Sequence, residues 1–218
     1  MMSTVSPRIA DPSLRTDLIE TAARLVATEG RQGLTLRRLA SEVGTSTMAI
    51  YTHFGGMDEL RREVRREGFA RLRAELDTVK TTRDPVADLS MLGLAYYSSA
   101  TAGPNLYRAM FLDGPVDESD VGTGLDTFMR LVDGVERCVN AGRLSNAEAR
   151  NPADLAIELW ALNHGFVTLR LAHLLPEPQA LERLETAARS LFIAWGDDPL
   201  ANKRSTASVR RRLKMSQK

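Results

Sequence analysis

The chain has 218 residues, 43% of them hydrophobic and 26% charged, enough to bury a sizeable core as one large domain or two small ones. Cys138 is the only cysteine, which excludes an internal disulfide and fits a reducing cytoplasm. The formal net charge of +1 hides an asymmetry: residues 1–80 hold 13 Lys/Arg against 11 Asp/Glu, residues 81–202 hold 9 against 17, and residues 203–218 hold 7 against none.

A mildly basic front, an acidic middle and a basic end predict separate roles, and an acidic middle would not lie along DNA. No segment shows the two-residue alternation of a half-buried strand, so the predicted fold class is all-α. Residues 1–12 read as a flexible arm, in which Arg8 can reach a minor groove or simply belong to a frayed terminus. Their sequence lacks the apolar run of a signal peptide, which predicts a cytoplasmic protein.

A helix is expected from Ser13, with Leu14, Leu18, Ala22, Leu25 and Val26 as its apolar stripe and Gly30 as its end. Next comes GLTLRRLASEVGTSTMAIYTHFGGMDEL, residues 33–60. Thr35 can cap a helix carrying Leu36, Leu39, Ala40 and Val43, and Gly44 suits the left-handed conformation that stops it. Ser46 and Thr47 offer fresh caps to a helix of barely two turns, with Ile50 and Phe54 on its apolar side. The outline is a helix-turn-helix, whose second helix enters the major groove of DNA. Three helices over residues 13–56 would form a compact head.

After Gly55-Gly56, Asp58 and Glu59 open a long strut helix buried through Leu60, Val64, Phe69, Leu72, Leu76 and Val79. The body, residues 57–200, continues with helices from about Pro85 to Ala102, Asn105 to Leu112, Leu125 to Ala141 and Pro152 to Leu175. An acid- and glycine-rich loop lies at Asp113–Gly124. A last helix holds Leu181, Leu184, Ala188, Leu191, Phe192 and Trp195 before Gly196 and Pro199 stop it. Residues 201–218 are predicted to be a basic disordered tail. The longest apolar stretch, Leu155 to Leu175, contains Glu158, His164, Arg170 and His173, which predicts a buried helix and no membrane span.

The run Gly33-Leu34-Thr35-Leu36-Arg37, Leu39-Ala40, Val43-Gly44, Ile50-Tyr51, His53-Phe54 and Leu60 resembles the tetracycline-repressor (TetR) family of bacterial transcriptional regulators. A second run, Trp160-Ala161-Leu162-Asn163-His164-Gly165, resembles the Trp-x-x-x-His-Gly motif of one class of that family's C-terminal domains. The resemblance implies a homodimer with its two heads in successive major grooves of a palindromic operator, a ligand pocket in each body, and a dimer interface from the last two helices. It implies phosphate contacts from Thr35 and Arg37. Met57 stands where the family commonly has a phosphate-contacting lysine: either binding is weaker and less salt-dependent, or Arg61 and Arg62 compensate from one turn onward.

Ser46, Thr47 and Met48 open the recognition helix, where base edges are read: hydroxyls can pair with several bases, and a thioether can pack on a thymine methyl. With no Arg, Asn or Gln there for a bidentate contact, part of the preference is expected from DNA shape. Tyr51, Thr52 and His53 carry donors for phosphate oxygens. In the body, Met91, Tyr96, Tyr97, Tyr107, Met110, Phe111, Phe128, Met129, Trp160 and His164 are either ordinary core or the wall of a pocket for a flat, largely apolar effector. The face of Leu181, Leu184, Ala188, Leu191, Phe192 and Trp195 is too broad for one helix to bury alone, which predicts pairing across a two-fold axis. Three histidines and one cysteine show no metal-ligand spacing, and no nucleophile motif or cofactor signature is present. The expectation is a ligand-responsive, sequence-specific DNA-binding repressor with DNA, its own copy and a small effector as partners. A helical interaction module without specific DNA binding, or a helical enzyme using the body pocket, is the alternative.

Overall fold

A computed structural model describes residues 12–112 and 122–216. Among these, the chain is ten α-helices with no strand, and no helix is long and apolar enough to cross a membrane. The arm containing Arg8 and most of the acidic loop, residues 113–121, lie outside the described residues. Two compact units form, divided within α4 between Phe69 and Ala70.

The first unit holds α1 (Pro12–Gly33), α2 (Leu36–Val43), α3 (Thr47–Phe54), the first part of α4 (Met57–Asp77) and α6 (Pro104–Phe111). Gly30, at φ 74, kinks α1 three residues before its end. Caps set the short helices. Thr35 accepts from the Arg38 N–H at 3.2 Å, and Gly44 at φ 73 ends α2 with its N–H on the Ala40 carbonyl. Ser46 accepts from the Ala49 N–H at 3.1 Å, and Gly55 at φ 74 ends α3. Leu18, Ile19, Leu25, Leu39, Ile50, Phe54 and Leu60 interlock as the core, each side chain worth about 1.5–3 kcal/mol on burial. α6 was expected in the body, yet Leu106 belongs to this core and α6 packs on α1. Nothing local in Pro104–Phe111 signals that docking, because its apolar side fits either core.

The second unit holds the rest of α4, α5 (Pro85–Ala102), α7 (Leu125–Asn140), α8 (Pro152–Leu171), α9 (Gln179–Ala194) and α10 (Pro199–Ser216). α8 ends one turn earlier than its apolar run, at a bend where His173 takes φ 58. The larger correction is α10. Residues 201–216 are helix, where a disordered tail was expected, because Pro199 opens that helix instead of stopping the chain. Asp198 accepts from the Ala201 N–H at 2.7 Å as the cap before it. Asn202, Ser205 and Val209 on α10 are buried.

Two ionic knots anchor α10. Asp88, 3% exposed, accepts from the Thr82 N–H at 2.7 Å, the Thr82 hydroxyl at 2.8 Å, Arg212 at 2.8 Å and Arg137 at 3.1 Å. Asp197 accepts from Arg143 at 2.6 Å and from Asn202 at 2.8 Å. Charges this far from water are tolerated only when paired and hydrogen-bonded in this way.

Candidate functional site

The turn between α2 and α3 is fixed by backbone caps, so the side chains around it are presented on a rigid frame. Met48 is 71% exposed and Tyr51 49%, large values for side chains that are mostly apolar. Ile50 and Phe54, on the opposite side of the same two turns, are buried. That division leaves Met48, Tyr51 and Thr52 facing outward, with Thr47 half-buried beside them. The Thr52 hydroxyl donates to the Met48 carbonyl at 3.0 Å, and its oxygen retains accepting capacity. Ser46 and Thr35 are spent as caps through their lone pairs, and each keeps a hydroxyl proton to donate. His53 is half-buried, its ring centroid 6.0 Å from that of Phe54.

Two neighbouring arginines differ in a way the sequence does not reveal. Arg38 donates to Glu29 at 3.0 Å and also bonds Glu42, so its charge is matched inside the unit. The Glu29 hydrogen bond, then that of Glu42, raises the Arg38 pKa still further. Arg37 is exposed and makes no ion pair or hydrogen bond with a described residue. One turn into α4, Arg61 bonds Asp58 at 3.2 Å, Arg62 bonds Glu59 at 2.6 Å, and Arg66 bonds Glu59 and Glu63 at 2.7 Å each. Met57 is partly buried against the core of the unit. The position that resembles a phosphate-contacting lysine thus works here as an apolar plug, and the arginines expected to replace its charge are already paired.

The expected pocket side chains are divided between the two units. Tyr107, Met110 and Phe111 lie in the first unit. There Tyr107 packs tilted against Phe111 at 5.2 Å, and Phe69 meets Phe111 edge-on at 5.5 Å. Met110 fills the notch above Gly68, where a Cβ would stand 2.5 Å from its sulfur. In the second unit, Tyr96, Phe128, Trp160 and His164 do meet. The Trp160 indole N–H donates to the Tyr96 hydroxyl at 3.3 Å, that hydroxyl lies 3.2 Å from His164 Nδ1, and Phe128 and His164 flank Trp160 edge-on. Burial lowers the His164 pKa. Tyr97 is buried and Met91 half-buried, while Met129 is 44% exposed.

A cavity of about 40 Å³ lies elsewhere in the second unit, between α5, α8, α9 and α10, with Gly93, Asn163, Leu184, Ala188 and Phe192 among its walls. None of these was expected to line a pocket. Asn163 sits inside the Trp160–Gly165 run, next to His164, and periodicity alone gave it no task.

The expected dimer face is also redistributed. Leu184, Phe192 and Trp195 are buried within the unit at 3%, 1% and 5% exposure, and Ala188 lines the cavity. Leu181 and Leu191 are half-buried. The face looked too broad for one helix because α8, and to a smaller extent α10, pack against α9. Outward apolar groups remain on α8 and α9: Ile157 (50% exposed), Leu169 (41%) and Ile193 (36%). Gly165, the last residue of the Trp-x-x-x-His-Gly run, is exposed, and a Cβ there would meet nothing within 4 Å.

Comparison with known proteins bears on both units. Residues 18–64 match the family model described as bacterial regulatory proteins, tetR family, and residues 89–191 match that of the tetracyclin repressor-like C-terminal domain. An uncharacterised HTH-type transcriptional regulator of Mycobacterium tuberculosis is 27% identical over 158 residues, spanning 72% of this chain and 70% of that protein. A solved protein of unknown function from Rhodococcus sp. RHA1 superposes with TM-score 0.70 at 25% identity, covering 87% of this chain and 98% of the other. The TetR family transcriptional regulator PfmR of Thermus thermophilus superposes with TM-score 0.65 over 80% and 96% of the two chains. At 18% identity, that likeness shows the fold alone.

Proposed function

This chain belongs to the TetR family of bacterial regulatory proteins, and on that premise we propose that it is a dimeric repressor released from a palindromic operator by a small effector. As a member of that family it is a DNA-binding transcriptional regulator and not an enzyme. The observation that carries the DNA-reading surface is the contrast in the first unit: an outward face of Met48, Tyr51 and Thr52 beside Arg37, the one arginine of α2 without a counter-charge among the described residues.

In this reading Arg37 and Tyr51 hold phosphates, and Thr35 and His53 donate at the edge of the groove. Ser46, Thr47 and Met48 face base edges with two hydroxyls and a thioether, groups that discriminate weakly. Sequence preference then rests in part on groove shape and deformability. The effector face is assigned to the aromatic set of Tyr96, Phe128, Trp160 and His164, which offers flat apolar surface and one hydroxyl–imidazole pair. The second copy is assigned to Ile157, Leu169 and Ile193, with Gly165 permitting close approach of two α8 helices. This puts the Trp-x-x-x-His-Gly run at two jobs, its ring residues inward and its glycine outward.

Selection of fragments of the source genome bound by the purified protein tests the reading. A recovered palindrome with half-sites one helical turn apart, about 34–36 Å, is the expected result. Binding that is salt-sensitive but shares no sequence among the recovered fragments would overturn it in favour of a helical interaction module.

A further inference from the structure

We propose that the cavity between α5, α8, α9 and α10 is a binding site for a small, mostly apolar molecule carrying one uncharged hydrogen-bond donor, an alcohol or a phenol. Its volume of about 40 Å³ exceeds the roughly 10–15 Å³ that a single water needs. Leucine and phenylalanine side chains from α5, α8 and α9 supply an apolar wall. Asn163, 4% exposed, supplies the polar group.

The orientation of that amide follows from its neighbours. Nδ2 donates to the Leu159 carbonyl at 2.8 Å, and only the amino side of the amide can do so. Oδ1 is left buried and accepts no hydrogen bond from any described residue. The room beside it exists because residue 93 has no side chain: a Cβ on Gly93 would stand 3.0 Å from Oδ1. A buried acceptor with space before it lowers its free energy by meeting a donor.

The hydroxyls on the wall and one guanidinium nitrogen are already engaged. The Ser90 hydroxyl donates to the Val86 carbonyl, the Thr206 hydroxyl to the Asn202 carbonyl, and Arg189 Nε to Asn202 Oδ1. Glu185 Oε1 also accepts no hydrogen bond and lies 3.3 Å from Arg210 as an ion pair. Both unsatisfied oxygens are acceptors, so the occupant must donate. Glu185 and Arg189 bring opposite charges to the same cavity, which favours no net charge on it.

The site is distinct from the aromatic set around Tyr96, and the inference does not rest on DNA binding. Its test therefore reads ligand occupancy alone, and failure would leave the operator reading standing. Butan-1-ol and diethyl ether are isomers, and only the alcohol can donate. Each is titrated into the ¹⁵N-labelled full-length protein while the Gly93 amide and the Asn163 side-chain amide are followed. The alcohol should shift both resonances saturably, with an apparent affinity at least about tenfold (1.4 kcal/mol) above that of the ether. Gly93→Ala, with its methyl against Oδ1, should abolish the response, and Asn163→Leu should erase the preference between isomers. Should either variant fail to fold, the isomer contrast in the natural chain decides by itself. Equal responses to both isomers, or no saturable shift from the alcohol up to the limit of native structure, would overturn the proposal and leave a hydrated cavity.

Discussion

At the scale of single residues, position 37 is expected to outweigh position 38 in binding DNA, although both are arginine. A phosphate contact acts by releasing counterions, so its loss weakens binding to every sequence and flattens the salt dependence. Arg37→Ala should reduce operator affinity several-fold and lower the slope of log affinity against log salt by about one for each head. Arg38→Ala should leave that slope nearly unchanged, since Glu29 and Glu42 already match its charge. Fluorescence anisotropy across a salt series measures both, and equal slopes for the two variants would remove Arg37 from the contact. His164 belongs to the same scale. Burial lowers its folded pKa, so the unfolded chain takes up the proton first as pH falls below about 6.5. Its contribution to stability is therefore present above that value and declines below it. The melting temperature of the natural chain should fall between pH 7.5 and 5.5 more steeply than that of His164→Gln. Parallel profiles would show that the imidazole takes up its proton equally in the folded and unfolded states.

At the scale of elements, the fate of α10 turns on Asp88. Burial alone would raise its carboxyl pKa; the Thr82 N–H, then Arg212, the Thr82 hydroxyl and Arg137 outweigh that and hold it below the usual carboxylate range. The resulting stability is present above the unfolded value of 3.8 and is lost as pH falls through the folded one. Arg212→Ala removes one of the two guanidinium groups from a buried carboxylate and should cost about 1–3 kcal/mol in urea unfolding at pH 7. The difference from the natural chain should shrink as pH falls below the unfolded value of 3.8 toward the lower folded one, where Asp88 loses its charge; a pH-independent difference would mean that Arg212 acts through packing instead. α10 also marks where sequence reasoning stops. The heads of α2 and α3 were legible because their signals are local: Thr35 and Ser46 as caps, Gly44 and Gly55 as stops, Ile50 and Phe54 on one face. Asp198-Pro199 is an equally local start signal, but it sits between a glycine and a run of charges that resembles a solvated end. What makes that run a docked helix is a salt bridge between residues 124 positions apart, which no window of sequence contains. The same gap hid Asn163, whose significance depends on Gly93 in another helix.

At the scale of the whole molecule, the residues that pair two copies must be those the fold leaves outside. Leu184 and Phe192 are consumed by the chain's own core, so Leu184→Glu should unfold the second unit without informing on assembly. Leu169 and Ile193 are exposed on α8 and α9, and a glutamate at either costs the folded chain little. Buried in a two-fold interface, the same glutamate would face its own copy across the axis and repel it. Light scattering at micromolar concentration should give the natural chain about twice its 24.0 kDa mass, and Leu169→Glu or Ile193→Glu the mass of one chain. Two linked heads on two half-sites gain about 10²–10⁴ in affinity over one head, through effective concentration alone. The monomeric variants should therefore lose operator binding by a factor in that range while keeping the far-UV dichroism of an intact helical fold. If they remain dimeric, the interface lies on another face; if the natural chain is itself a monomer, two-headed binding fails altogether.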